Sequence, residues 1–187
     1  VCPMIVRGMV VLVLLVAPLV RAGEAYNPLR AEGGGLPAPI DLSISNDARH
    51  RDIPIRVYLP SATDPAPVVL FSHGLGGSRQ NNPYLGRHWS ARGYVVVFVQ
   101  HPGSDESVWR DVRPARRLDA MRQAAGLENF MLRVRDIPVV LDQLDKWNAT
   151  TGHALFGRLD MRHVGMSGHS FGAVTPQAVS GQKVVRG

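Results

Sequence analysis

The sequence predicts an α/β fold built on a mostly parallel, doubly wound sheet with helices on both faces, and three observations carry that expectation. Short runs rich in β-branched residues alternate along the chain with segments of helical period. Two of those runs, 68–71 and 94–99, are apolar throughout, as strands covered on both faces are. The third observation is Gly168-His169-Ser170-Phe171-Gly172, which lies between an apolar run and a segment of helical character.

The elements follow in order. Residues 1–25 have the parts of a secretory signal: Arg7, the apolar run 9–20, then small residues at Ala22 and Ala25, either of which suits cleavage. That run is short of the roughly 20 residues a membrane span needs. The expectation is therefore a secreted or periplasmic mature chain, without cysteine because Cys2 lies in the removed segment. Residues 26–39 hold Gly33-Gly34-Gly35 and three prolines and read as a flexible lead-in, so the folded domain is expected over 40–187. In 53–59, Ile55, Val57 and Leu59 share one face of a strand closed by Pro60. Residues 81–92 read as a short helix with Tyr84, Leu85, His88 and Trp89 on one face, ended by Gly93. The stretch 113–147 is helical, with Val134, Ile137, Val140, Leu141, Leu144 and Trp147 on one side, and Pro138 should kink it or mark a start. Residues 162–166 form a last short strand leading into Gly168.

At 187 residues, 45% hydrophobic and 19% charged, the chain can bury one core. Its net charge of +6 is spread along the sequence, with a local run only at Arg113, Arg116, Arg117 and Arg122. A nucleic-acid binder would show a continuous basic stripe or a reading motif, so the charge reads as solvated surface and no nucleic-acid partner is expected.

Gly168-His169-Ser170-Phe171-Gly172 matches G-x-S-x-G, in which the serine occupies a sharp strand-to-helix turn with its hydroxyl exposed. Flanking glycines let neighbouring backbone pass closely. Ser170 is the candidate catalytic nucleophile, and His169 is expected to point away from the substrate. A second constellation, Ser72-His73-Gly74-Leu75-Gly76-Gly77, follows the first buried strand, where a small-residue loop can aim backbone N–H groups at a developing oxyanion. The candidate oxyanion-hole donors are the N–H groups of Leu75 and Phe171. His73 is expected to pack beneath that loop, and His101 to shape the mouth of the pocket. Asp105, Glu106 and Asp111 match no ligand spacing and read as a polar loop at that mouth, so no metal and no cofactor are expected. Asn148-Ala149-Thr150 fits the glycosylation pattern, a weak signal.

The blocks Pro54-Ile55-Arg56-Val57-Tyr58-Leu59-Pro60, Phe71-Ser72-His73-Gly74-Leu75-Gly76, Gln100-His101-Pro102-Gly103-Ser104 and Gly168-His169-Ser170-Phe171-Gly172 together resemble α/β-hydrolases of the dienelactone-hydrolase type. They are also similar to the platelet-activating-factor acetylhydrolase group. The resemblance covers about 53–182 and implies an α/β-hydrolase fold. In the acetylhydrolase relatives the Leu of S-H-G-L-G and the residue after the nucleophile form the oxyanion hole, which implies the same for Leu75 and Phe171. True dienelactone hydrolases carry Cys where this chain has Ser170, so the resemblance implies hydrolysis of a small-molecule or lipid carboxylic ester.

In this fold the triad runs Ser, then Asp or Glu, then His, and residues 171–187 contain none of the last three. The expectation is a fold incomplete at its C-terminus and a 187-residue chain that hydrolyses esters weakly or not at all by itself. The alternative is a noncatalytic hydrolase-like binding protein. A lipase-like enzyme at a membrane surface is a third reading without specific support, and no residue indicates an oligomeric state.

Overall fold

The computed structural model describes residues 35–182. The proposed signal segment, most of the lead-in and the last five residues of the chain lie outside that range. Five strands and five helices make up the described part: β1 (Ile40–Asn46), β2 (Arg51–Tyr58), β3 (Ala66–Ser72), α1 (Pro83–Ser90), β4 (Val95–Val99), α2 (Ser107–Arg110), α3 (Arg117–Ala124), α4 (Leu127–Ala149), β5 (Leu159–Gly168) and α5 (Val174–Val179).

The strands form one sheet in the order β1-β2-β4-β3-β5. β4, β3 and β5 run parallel, whereas β1 and β2 add an antiparallel ribbon to one side. The antiparallel pairing follows from the short connection between β1 and β2, since parallel neighbours need a long crossover. β1 has the alternation Ile40, Leu42, Ile44, with Ile44 buried.

Both faces are covered at the centre of the sheet, where every residue of β4 is buried, whereas the edge strand β5 is exposed over residues 162–165. Ile53, Ile55, Val57, Val68, Leu70, Val95, Val97 and Val99 share one face with Ile137, Val140 and Leu144 of α4. Tyr58, Phe71, Val96 and Phe98 take the other, against Leu85 and Trp89 of α1. The contact face of α1 differs from the expected one, because Tyr84 and His88 are exposed. Gly86 takes their place: a Cβ there would lie 2.5 Å from the Tyr58 ring, so the glycine lets the helix sit directly on the strand.

The expected single helix over 113–147 is three pieces, a 3-10 turn at Pro114–Arg116, then α3, then α4, with the break at Ala125 and Gly126. Pro138 does not mark a start, for α4 runs through it with the proline exposed. A proline inside a helix costs about 3 kcal/mol. Burial of Ile137, Val140 and Leu144 at about 2 kcal/mol each more than offsets that. The α4 face also buries Arg133 and Asp136, two residues absent from the apolar pattern.

Asn148, near the end of α4, is committed to the fold. Its Nδ2 donates to Leu159 O at 2.9 Å and its Oδ1 accepts from Leu159 N at 3.0 Å, which starts β5. Among the described residues no helix is long and apolar enough to cross a membrane.

Candidate active site

Ser170 sits just past β5 with φ at +53°, the left-handed region in which a residue with a Cβ is strained by about 1–3 kcal/mol. The flanking glycines explain how that backbone is held. A Cβ on Gly168 would stand 2.2 Å from Gly172 O, and one on Gly172 would stand 2.1 Å from Ser72 O and 2.4 Å from His73 O. The turn is therefore pressed against itself and against the end of β3, and His169 N donates to Ser72 O at 3.2 Å. The Ser170 residue is exposed at the top of the sheet, and the chain continues as a 3-10 turn, Ser170–Ala173, into α5.

The loop after β3 comes to the same place. Gly74, Leu75, Asn81, Asn82, His169 and Ser170 line one cavity of about 190 Å³. A Cβ on Gly74 would be 3.4 Å from the Ser170 Cβ, so a side chain there would intrude on the serine. Gly76 N donates to Ser104 O at 2.9 Å and Gly77 N to Gly74 O at 3.1 Å, while Leu75 N–H has no partner among the described residues. Phe171 lines a second, apolar cavity of about 400 Å³ together with Leu127, Phe130, Val174 and Ala178.

Beneath the loop lies a buried polar network. His101 Nδ1 is 2.9 Å from Asp136 Oδ2, and His101 Nε2 is 3.0 Å from Ser72 Oγ. Arg51 grips Asp136 with Nε and Nη2, both at 2.9 Å, and Arg49 adds a contact at 3.0 Å. Burial pushes the Asp136 carboxyl up, but its bonds to His101 and Arg51 outweigh this and hold it below the usual range. Arg133 donates to His73 O at 2.7 Å, to Ser104 Oγ at 2.8 Å and to Ser72 Oγ at 3.2 Å. Burial lowers its guanidinium to about 10, partly opposed by Asp136 and Asp105, so it stays charged at neutral pH.

The partners fix the tautomers. His101 N donates to His73 Nε2 at 3.0 Å, so that nitrogen is bare and the proton sits on Nδ1, which donates to Gly74 O at 2.6 Å. His101 likewise donates from Nδ1 to the carboxylate and accepts on Nε2. Burial, then the Arg133 charge, depresses His73 to about 3. Burial depresses His101 to about 4, against the raising effect of its bond to Asp136.

A pH dependence follows. Both histidines are neutral in the folded chain, whereas the unfolded chain protonates near 6.5, so the unfolded state binds more protons as pH falls. Their stabilising contribution is complete above about pH 6.5 and is lost as pH falls towards 4 and then 3. The melting temperature followed by circular dichroism is expected to drop steadily from pH 7 to pH 4, corresponding to about 3 kcal/mol or more. A melting temperature constant over that interval would contradict the assignment.

Three expectations change with this geometry. His169 does not point away from the site: it lines the Ser170 cavity. His101 is fully buried in the network and shapes no pocket mouth. Asp105 is buried too, accepting from Gln100 Nε2 at 2.7 Å and Ser107 Oγ at 2.6 Å. His73 does lie beneath the loop, buried. Sequence reasoning missed Ser72, Arg133 and Asp136. The visible signal for the last two was their place at i, i+3 on the stripe that continues through Ile137, Val140 and Leu144. Among the described residues no group of three or more His, Cys, Asp or Glu is placed to hold a metal ion.

Ser72, His101 and Asp136 are connected as a catalytic triad is, yet all three are 0% exposed. The Ser72 hydroxyl also accepts from Arg133, and no substrate carbonyl can approach it. This chain of bonds belongs to the support of the loop.

The sheet order, the strained serine after β5 and the glycine loop after β3 define an α/β-hydrolase fold. Comparison with solved structures agrees. The chain is similar to a ferulic acid esterase from Streptomyces cinnamoneus, with a TM-score of 0.56, 22% identity, 78% of this chain covered and 54% of that one. It is also similar to a protein from Bacteroides ovatus described as a dipeptidyl aminopeptidase IV, with a TM-score of 0.53, 16% identity, 79% of this chain covered and 20% of that one. The match thus spans about half the length of the esterase. Residues 54–120 match the family described as platelet-activating factor acetylhydrolase, isoform II. A comparison with curated proteins gave no match.

Proposed function

We propose that the protein is a serine carboxylic-ester hydrolase with Ser170 as nucleophile. The observation that carries this reading is the strained, exposed Ser170 facing the Leu75 loop across one cavity. Oγ attacks the ester carbonyl carbon as its proton passes to a general base. The carbonyl oxygen becomes an oxyanion, which accepts from the N–H groups of Leu75 and Phe171, each such donor being worth roughly 3 to 4 kcal/mol. The intermediate collapses, the C–O bond to the alcohol breaks, and the alcohol leaves with the proton from the base. Water, deprotonated by the same base, then attacks the acyl-enzyme and releases the acid.

The buried histidines beneath the loop are not placed to be that base. His73 and His101 are buried and use both ring nitrogens elsewhere. His169 shares the cavity but precedes the serine directly, within the elbow itself. The order of the triad in this fold puts the acid and the histidine after the nucleophile. The apolar cavity beside Phe171 suits the acyl or alcohol part of a small or lipid ester. A secreted or periplasmic location fits the apolar N-terminal segment.

The test is turnover of p-nitrophenyl acetate by protein from its natural source, compared with its Ser170→Ala variant. Turnover that depends on Ser170 supports the reading. Equal rates in the two proteins would overturn it.

A further inference from the structure

We propose that Arg133 is a positioning residue for this site, a buried fork that locks the Leu75 loop to the turn carrying Ser170. The inference rests on the esterase reading and goes beyond it, because Arg133 reaches the site only through other groups.

The fork holds the loop at two points. On one side, Arg133 Nη1 donates to His73 O at 2.7 Å, two residues before Leu75. On the other, Nε donates to Ser104 Oγ at 2.8 Å, and the carbonyl of that same Ser104 receives Gly76 N–H at 2.9 Å, one residue after Leu75. Leu75 is thus bracketed by backbone atoms that Arg133 fixes directly or through one residue. The guanidinium also contacts the nucleophile turn. Its Cζ lies 4.7 Å from the centre of the Phe171 ring, within cation–π range, and Phe171 supplies the other proposed oxyanion donor. Ser72 O and His73 O, at the end of β3, are the atoms against which Gly172 is pressed. One side chain therefore sets the separation of the two donors.

Burial makes the arrangement demanding. Arg133 is 0% exposed, so its charge must be balanced from within the protein. Asp136 and Asp105 lie close enough to do that, and both are themselves hydrogen-bonded. Lysine would keep the charge but has no planar fork to span His73 and Ser104 together.

A shift of about 1 Å in a positioned group can lower a rate by about 100-fold. Arg133→Ala and Arg133→Lys are therefore expected to lower kcat for p-nitrophenyl acetate about 10- to 100-fold, with KM changed by no more than about twofold. Millimolar guanidinium should restore part of the kcat of Arg133→Ala and none of that of Arg133→Lys, a response that simple loss of stability would not give. Measurements are made on protein of native length, well below its melting temperature. Should neither variant fold, Ser104→Ala, which removes the Nε anchor, decides: a reduced kcat at constant KM supports the proposal, and an unchanged kcat overturns it. If the wild type shows Ser170-dependent turnover and folded Arg133→Ala matches its kcat, the role of Arg133 fails alone. If the wild type shows no such turnover, both readings fail.

Discussion

Ser170→Ala is expected to lower turnover of p-nitrophenyl acetate by about 10⁴-fold or more while leaving the fold intact. The size of the effect follows from the chemistry: without the hydroxyl no acyl-enzyme can form, and what remains is the contribution of binding and oxyanion stabilisation to attack by water. The fold should survive for a local reason. The strain at Ser170 is backbone strain at φ +53°, which alanine shares, and the exposed hydroxyl fills no packed position. The melting temperature should stay within a few degrees of the wild type. A variant that keeps a tenth or more of the activity would remove Ser170 from the mechanism.

Gly172→Ala should have the largest effect on stability. The new methyl would stand 2.1 Å from Ser72 O and 2.4 Å from His73 O, distances no Cβ tolerates. Neither oxygen is free to move, since Ser72 O accepts from His169 N at 3.2 Å and His73 O from Arg133 at 2.7 Å. Relief therefore requires the elbow to move away from β3, which separates Ser170 from the Leu75 loop. Overpacking in a compliant core costs 1–3 kcal/mol; here, against backbone, the expected loss is about 3 kcal/mol or more, together with turnover. Urea unfolding monitored by tryptophan fluorescence reads the first quantity. A midpoint equal to that of the wild type would show that Gly172 is not pressed against β3.

The sequence revealed those parts of this fold in which side-chain type and position coincide. β3 and β4 were legible because Val68, Leu70, Val95, Val97 and Val99 on one face and Phe71, Val96 and Phe98 on the other are all buried, so the runs have no polar interruption. The pairing of β1 with β2 was not legible, because antiparallel order depends on which edge a strand joins, and alternation alone is silent on that. Gly86 escaped notice because an apolar pattern counts side chains, whereas its function is to have none. The elbow was legible for the opposite reason, since only a small set of residues fits its backbone. Arg133 and Asp136 were hidden because charged residues are ordinarily assigned to the surface. Their burial depends on partners from β2, β3 and the loop after β4, distant in sequence and brought together only by folding.

The most direct test of the central claim is to treat protein from its natural source with diisopropyl fluorophosphate, digest with trypsin and locate the adduct by mass spectrometry. The peptide 163–183 carries Ser167, Ser170 and Ser180, and fragmentation distinguishes them. The structure predicts one phosphoryl group per chain, on Ser170. An unmodified Ser170, or an adduct at Ser72 or any other serine in its place, would contradict the assignment of the nucleophile.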